Sequence, residues 1–158
     1  MRVRDLMTEP AVTCHVNDTL QTAAMRMWDH DCGAVPVVND EGAVTGVITD
    51  RDICMAAYTQ GRPLDEMLVN TAMAHQVFAV TPDQDVEDAE RVMAERQVRR
   101  LPVVDAWGAA VGMLSLDDLA IEATQPDTAM TNGPNKIAHA LAAICRPRRA
   151  KRQAARAG

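Results

Sequence analysis

The sequence predicts an α/β (α+β) fold of two pseudo-symmetric β-α-β-β-α repeats packed as one module, followed by a C-terminal helix and a basic tail. Three observations predict it. Shifting the 158-residue chain by 66 positions without gaps lays residues 3–52 on 69–118 and matches eleven of them, including Pro36-Val37-Val38 with Pro102-Val103-Val104, Gly46 with Gly112 and Asp52 with Asp118. Short runs rich in β-branched residues lie between clusters of turn residues, as strands do. Other runs repeat apolar residues at i, i+3, i+4 and i+7, as helices with one buried face do. Because the register never slips, both halves share one plan, with repeats expected over 1–62 and 63–124 and the remainder over 125–158.

In chain order, Val3, Leu6 and Met7 mark a short helical lead-in, and Ala11 to Val16 forms a brief strand. Asn17, Asp18 and Thr19 are all N-cap types. They precede Leu20, Ala23, Ala24, Met27 and Trp28, which share one face of a helix ending near Asp31 to Gly33. Ala34 to Val38 is a continuous apolar run that suits a strand buried on both faces, with Pro36 at an edge or a bulge because proline cannot donate to a ladder. Asn39 to Gly42 turns the chain into a second strand, Val44 to Ile48. Thr49 then caps a helix that stops by Gly61-Arg62-Pro63, with Asp52 completing a capping box. Val69 and Met73 repeat Val3 and Met7, so residues 63–76 hold a second lead-in. The second copy is expected as strand Val77–Val80, caps Thr81 to Asp83, a helix through Val86, Ala89, Met93 and Gln97, strand Leu101–Val104, strand Ala110–Leu114 and helix Leu116–Ala123. A loop over 125–133 and a closing helix over 135–145 follow.

Composition bounds what this duplication can be. Hydrophobic residues make up 47% and aromatics only 3%, so the core must be aliphatic, filled by Val, Ala, Leu, Ile and ten methionines. No stretch approaches the roughly 20 apolar residues of a membrane span, so a cytoplasmic protein with no membrane partner is expected. Cys14, Cys32, Cys54 and Cys145 form no Cys-x-x-Cys pair and read as buried free thiols, not as a zinc or dithiol centre. Six of the 16 basic residues fall in 146–158, which leaves the body at ten against 22 acidic residues, a net −12. This tail lacks the interleaved aromatics of a nucleic-acid surface and reads as a solvated end.

The chemistry concentrates at the two strand-to-helix junctions, Gly46 to Ile53 and Gly112 to Leu119. A helix N-terminus offers unpaired N–H groups and partial positive charge to a phosphate. Thr49 and Ser115 supply hydroxyls there, and Asp52 and Asp118 can each accept two hydrogen bonds from a vicinal diol such as ribose. The same pair also serves as plain capping, but its recurrence at one offset favours binding at one junction or both. Arg99 and Arg100 replace Gly33 and Ala34 in the second copy and equip that cleft for a phosphate tail, whereas Arg51 is a weaker candidate in the first. The two clefts should therefore differ in ligand or affinity.

These motifs resemble the CBS domain, named for cystathionine β-synthase, and two in tandem resemble the stand-alone bacterial pairs called Bateman modules. The resemblance covers residues 1–123. It implies ligand-gated regulation by adenine nucleotides, with AMP first and ATP, ADP, NAD or S-adenosylmethionine as alternatives. It also implies an adenine slot formed by Val12, Thr13 and Val35 in one copy and by Phe78, Ala79 and Leu101 in the other. Family modules form flat homodimers, so a homodimer is expected, acting in trans on an unidentified regulated protein because no effector domain is fused. An enzyme is not expected: the single serine has no motif-linked histidine, and His15, His30, His75 and His139 are scattered. The same scatter speaks against a metal site, since zinc takes such ligands in tetrahedral groups. A module with empty clefts that serves only as an interaction surface, through Trp107 or the Ile137 to Ile144 face, is the remaining alternative.

Overall fold

The computed structural model describes residues 1–122; the loop over 125–133, the helix over 135–145, Cys145, His139 and the basic tail lie outside the described residues. In order, the elements are β1 (Cys14–His15), α1 (Leu20–Asp29), β2 (Ala34–Val38), β3 (Val44–Thr49), α2 (Asp50–Gln60), α3 (Val86–Arg96), β4 (Arg100–Val104), β5 (Ala110–Ser115) and α4 (Leu116–Glu122). Single 3-10 turns at Val3–Asp5 and Val69–Thr71 form the two lead-ins.

Local chemistry accounts for the helix ends. The Thr19 hydroxyl accepts from Thr22 N–H at 3.2 Å and starts α1. Gly61, in the left-handed conformation at φ 62°, ends α2 by donating to the Ala57 carbonyl. Leu20, Ala23 and Met27 form the buried stripe of α1, but Trp28 stands in solvent. At 3.6 residues per turn, Trp28 lies outside that stripe, more than a quarter turn from its centre. The expectation that it belongs to the buried face is corrected.

β2 is the middle of a three-stranded sheet, parallel to β1 and antiparallel to β3. Ala34 to Val37 are buried, as a strand covered on both faces requires. Pro36 lies in this central strand, not at an edge; the β1 ladder begins only at Val37, and the register with β3 shifts between Val37 and Val38. Asn39 Oδ1 accepts from the N–H groups of Glu41 and Ala43 across the β2–β3 turn, and Asp105 Oδ1 does the same for Trp107 and Ala109 between β4 and β5.

The second copy departs from expectation at its start. No strand forms over 77–80; a single parallel bridge joins Val80 to Val103. In the first copy the Val16 N–H donates to the Val38 carbonyl at 2.9 Å and prolongs the ladder. The equivalent residue of the second copy is Pro82, which has no N–H to donate. Nor do Thr81 to Asp83 cap α3: its N-cap is Asp85, and the first helical N–H, that of Val86, donates to the Met1 carbonyl at 3.1 Å.

The described chain divides into two compact units, each discontinuous in sequence. One joins Thr8–Pro82 to Pro102–Met113, around a core that includes Cys14, Leu20, Val35, Val37, Ile48, Met67, Val69 and Met73. Here the second lead-in docks on α1: Leu20 N–H donates to the Met67 carbonyl and Val69 N–H to the Asp18 carbonyl, both at 2.8 Å. The other joins Met1–Met7 to Asp83–Leu101 and the stretch beginning at Leu114. Here the first lead-in docks on α3 through the equivalent bonds, Val86 N–H to Met1 and Val3 N–H to Gln84, with Arg2 and Arg4 paired to Asp85 and Asp83. Each lead-in thus serves the helix of the opposite repeat. Among the described residues, no helix is long and apolar enough to cross a membrane.

Candidate functional site

The first junction lies where β3 ends and α2 begins. Thr49 N–H and Thr49 Oγ1–H both donate to Asp52 Oδ2, at 2.9 and 2.7 Å, and Asp52 N–H donates back to Thr49 Oγ1 at 3.1 Å. The result is a complete reciprocal capping box with aspartate as its acid. The second junction repeats it atom for atom: Ser115 N–H and Oγ–H donate to Asp118 Oδ2 at 2.7 and 2.6 Å, and Asp118 N–H returns to Ser115 Oγ at 3.2 Å. Both acids are half-buried. Each uses one carboxylate oxygen for the cap; no hydrogen bond or ion pair among the described residues reaches Oδ1 of either.

Around the first junction the sheet register gathers the other predicted residues. Thr49 lies opposite Ala34 and Ile48 opposite Val35. Cys14 pairs with Val37 in parallel, so Val12 runs alongside Val35 but outside the ladder. Among the described residues, no hydrogen bond reaches the backbone of Val12 or Thr13, both half-buried. A short run of free N–H and C=O groups at Val12 and Thr13 therefore precedes β1 on the side of Val35. Next to it, burial and then the nearby Asp18 charge push the Cys14 thiol from 9.0 up to about 12, so this buried cysteine stays protonated. Cys32 is half-buried and Cys54 exposed, which corrects the expectation of uniformly buried thiols.

The second junction is differently equipped. The Arg99 carbonyl accepts from Leu116 N–H at 2.8 Å, which ties Arg99 to the Ser115 corner. Neither Arg99 nor Arg100 forms a salt bridge among the described residues, and Arg99 is exposed. Leu101, next in β4, is fully buried. In the first copy the equivalent bond runs from Asp50 N–H to the Gly33 carbonyl at 3.2 Å, and Asp50 Oδ1 also takes the Arg51 N–H at 2.7 Å. With Asp52 N–H on Thr49, the first three N–H groups of α2 all have acceptors; the expectation of open donors there is corrected. Phe78 and Ala79 precede the Val80 bridge and belong to the same unit as the first junction, whereas Arg99, Arg100, Leu101, Ser115 and Asp118 belong to the other.

Histidines do not converge. His15 Nε2 pairs with Asp40 Oδ1 at 2.9 Å while its Nδ1 accepts from Asn17 N–H, and among the described residues no three His, Cys, Asp or Glu side chains are grouped to hold a metal. Sequence reasoning did not find the exchanged lead-ins; the signal available was the recurrence of Val3 and Met7 at Val69 and Met73.

Comparison with known proteins agrees with this architecture. The CBS domain family model matches residues 3–58 and 69–123. The CBS domain-containing protein YhcV of Bacillus subtilis is 39% identical over 127 residues, covering 80% of this chain and 89% of YhcV. The CBS domain pair of protein MJ0100, solved in complex with 5′-methylthioadenosine and S-adenosyl-L-methionine, superposes with a TM-score of 0.70 at 25% identity, over 77% of this chain and 94% of that one. Hypoxic Response Protein I, solved with two coordinated zinc ions, superposes with a TM-score of 0.70 at 28% identity, over 80% of this chain and all of its own. The chain is a tandem member of the CBS-domain family.

Proposed function

We propose that this protein is a cytoplasmic adenosyl-ligand sensor, without catalysis of its own, that changes the state of a partner in trans and works as a homodimer. One observation carries the reading: two identical reciprocal caps hold Asp52 and Asp118 with one carboxylate oxygen bound and the other open. An aspartate fixed in this way is pre-set to accept from a vicinal diol without reorganising, which lowers the cost of binding. The unbonded backbone at Val12 and Thr13 beside Val35 supports adenine reading at the first junction, because a purine edge needs such donors and acceptors. Arg99 and Arg100, without carboxylate partners, support a phosphate-bearing tail at the second, so AMP, ADP or ATP is assigned there and a neutral-tailed adenosyl compound competes better at the first. The adenosyl ligands of the MJ0100 pair belong to the same chemical class. A ligand shifts only an equilibrium between states for which its affinity differs, so the sensor requires a partner or moving element.

A thermal-shift panel of AMP, ADP, ATP, NAD, S-adenosylmethionine and methylthioadenosine, followed by calorimetry on each hit, tests the reading. At least one adenosyl compound should raise Tm, and Arg99→Ala with Arg100→Ala should weaken the phosphorylated ligands while sparing methylthioadenosine. No shift with any of the six would leave an interaction module with empty clefts.

A further inference from the structure

Trp107 is 85% exposed, and nothing in its turn requires an indole. The turn between β4 and β5 is closed by the Asp105 carboxylate, which accepts from the Trp107 and Ala109 N–H groups, so Trp107 contributes only its backbone. The same position of the β2–β3 turn, 66 residues earlier, is filled by Glu41, with Asp40 before it. The two turns lie side by side within one compact unit: Val44 N–H donates to the Gly108 carbonyl at 2.9 Å, and Ala43 and Ala109 form an antiparallel bridge. One turn thus brings an exposed indole, the other brings two carboxylates, and Asp105 adds a third. Residues 38–44 and 104–110 contain no arginine or lysine. Among the described residues no arginine pairs with Asp40, Glu41 or Asp105, and the ion-pair partner of the exposed Asp40 is His15.

Such a surface takes a cation. An indole face attracts guanidinium and ammonium groups more strongly than the other aromatic rings do. Carboxylates beside it pair with the same group or its neighbours, and an arginine can stack and pair at once. We infer that the occupant is this chain's own basic tail, residues 146–158, with an arginine over the Trp107 ring and further basic side chains against Asp40, Glu41 and Asp105. Charge and length select it. Arg146, Arg148, Arg149, Lys151, Arg152 and Arg156 fall in a stretch that holds no acid, whereas the rest of the chain has ten basic residues against 22 acidic ones. Arg146 follows Glu122, the last described residue, by 24 positions. A segment of that length reaches about 36 Å even at the 1.5 Å rise of a helix, about the diameter of a small domain. Exposed ion pairs are weak one by one. A tethered segment, however, acts at an effective concentration of about 1 mM, so a site of only millimolar affinity is already half filled. A seated tail withholds this surface from any other cationic segment.

Acrylamide quenching tests this in the full chain carrying Trp28→Phe, which leaves Trp107 as the sole tryptophan. In that parent the indole should be shielded, and Arg148→Gln/Arg149→Gln/Arg152→Gln should raise its quenching constant about two-fold, the change from half seated to open. Asp40→Asn/Glu41→Gln, at two exposed side chains, should release it from the other side. Salt at 1 M should release the parent as well, because the screening length falls to about 3 Å. An equal change of charge at the end of α1, Asp29→Asn/Asp31→Asn, should leave the indole shielded; release there too would replace a seat by diffuse attraction and overturn the proposal. Shielding should be unchanged on dilution, and its loss on dilution would make the occupant another copy instead of the chain's own tail. An indole as open to quencher in the parent as in the tail variant, at low and at high salt, overturns the assignment and leaves the paired turns to a partner protein's basic segment.

Discussion

Asp118 and Asp52 cap their helices through Oδ2, and under the proposed function Oδ1 of each receives the ligand, so a suitable substitution separates the two duties. Asn keeps an acceptor for the Ser115 or Thr49 cap but removes the charge. Asp118→Asn should therefore weaken binding of a phosphorylated adenosyl ligand by about 1.5–3 kcal/mol, roughly 10- to 150-fold, with less than about 0.5 kcal/mol lost from the fold. Asp118→Ala should show the same loss of affinity plus about 1 kcal/mol of destabilisation from the missing cap, measured by urea unfolding. Equal affinity in both variants and the parent would remove ribose from the site. Cys14 makes a second prediction at this scale. Its folded pKa, about 12, lies above its unfolded 9.0, so the folded chain holds the proton more tightly. The stability gained is complete below about pH 9 and drains away as pH rises from there towards 12. In the native protein at pH 8, iodoacetamide should label exposed Cys54 and leave Cys14 untouched, as peptide mass mapping would show.

At the level of elements, repetition made most of the plan legible. The eleven identities gave the hairpins, helices and junctions of both halves, because turn chemistry at Gly42 and Gly108 and the reciprocal caps are local and need no distant partner. What escaped was decided across elements. The missing second-copy strand turns on Pro82 standing where Val16 supplies a ladder donor, which becomes visible only once Val38 is known to be the acceptor. Trp28 was misassigned because helical spacing does not say how wide the covered stripe is. The open backbone at Val12 and Thr13 could not be seen either, since strand propensity favoured continuing the ladder that stops there. Gly46 offers a test of close approach between elements. A Cβ there would sit 2.6 Å from Met73 Sδ and 3.0 Å from the Ala74 carbonyl, where the second lead-in bridges β3. Gly46→Ala should cost about 1–3 kcal/mol, because Met73 can swing aside but the paired backbone of Ala74 cannot. At Gly61, where nothing lies within 4 Å of the added atom, Ala should cost about 1 kcal/mol from backbone conformation alone.

For the whole molecule, the exchanged lead-ins make each unit depend on residues far away in sequence. Val3 is fully buried beside α3 although more than 80 positions separate it from Val86. Val3→Ala should destabilise by about 1.5–3 kcal/mol, and hydrogen exchange should report the loss in α3 before α1. Faster exchange confined to residues 1–10 would show that the docking carries no load. The same arrangement sets a timetable for synthesis. Met67 to Met73 follow closely behind the sheet and helix they complete, so that unit can begin to settle while translation continues. Met1 to Met7 leave the ribosome well ahead of residues 83–96, and until those arrive Val3 has nowhere to go. Holding that early apolar segment free of wrong partners is a task for chaperones or for speed, and slow codons placed between the two would lengthen its exposure.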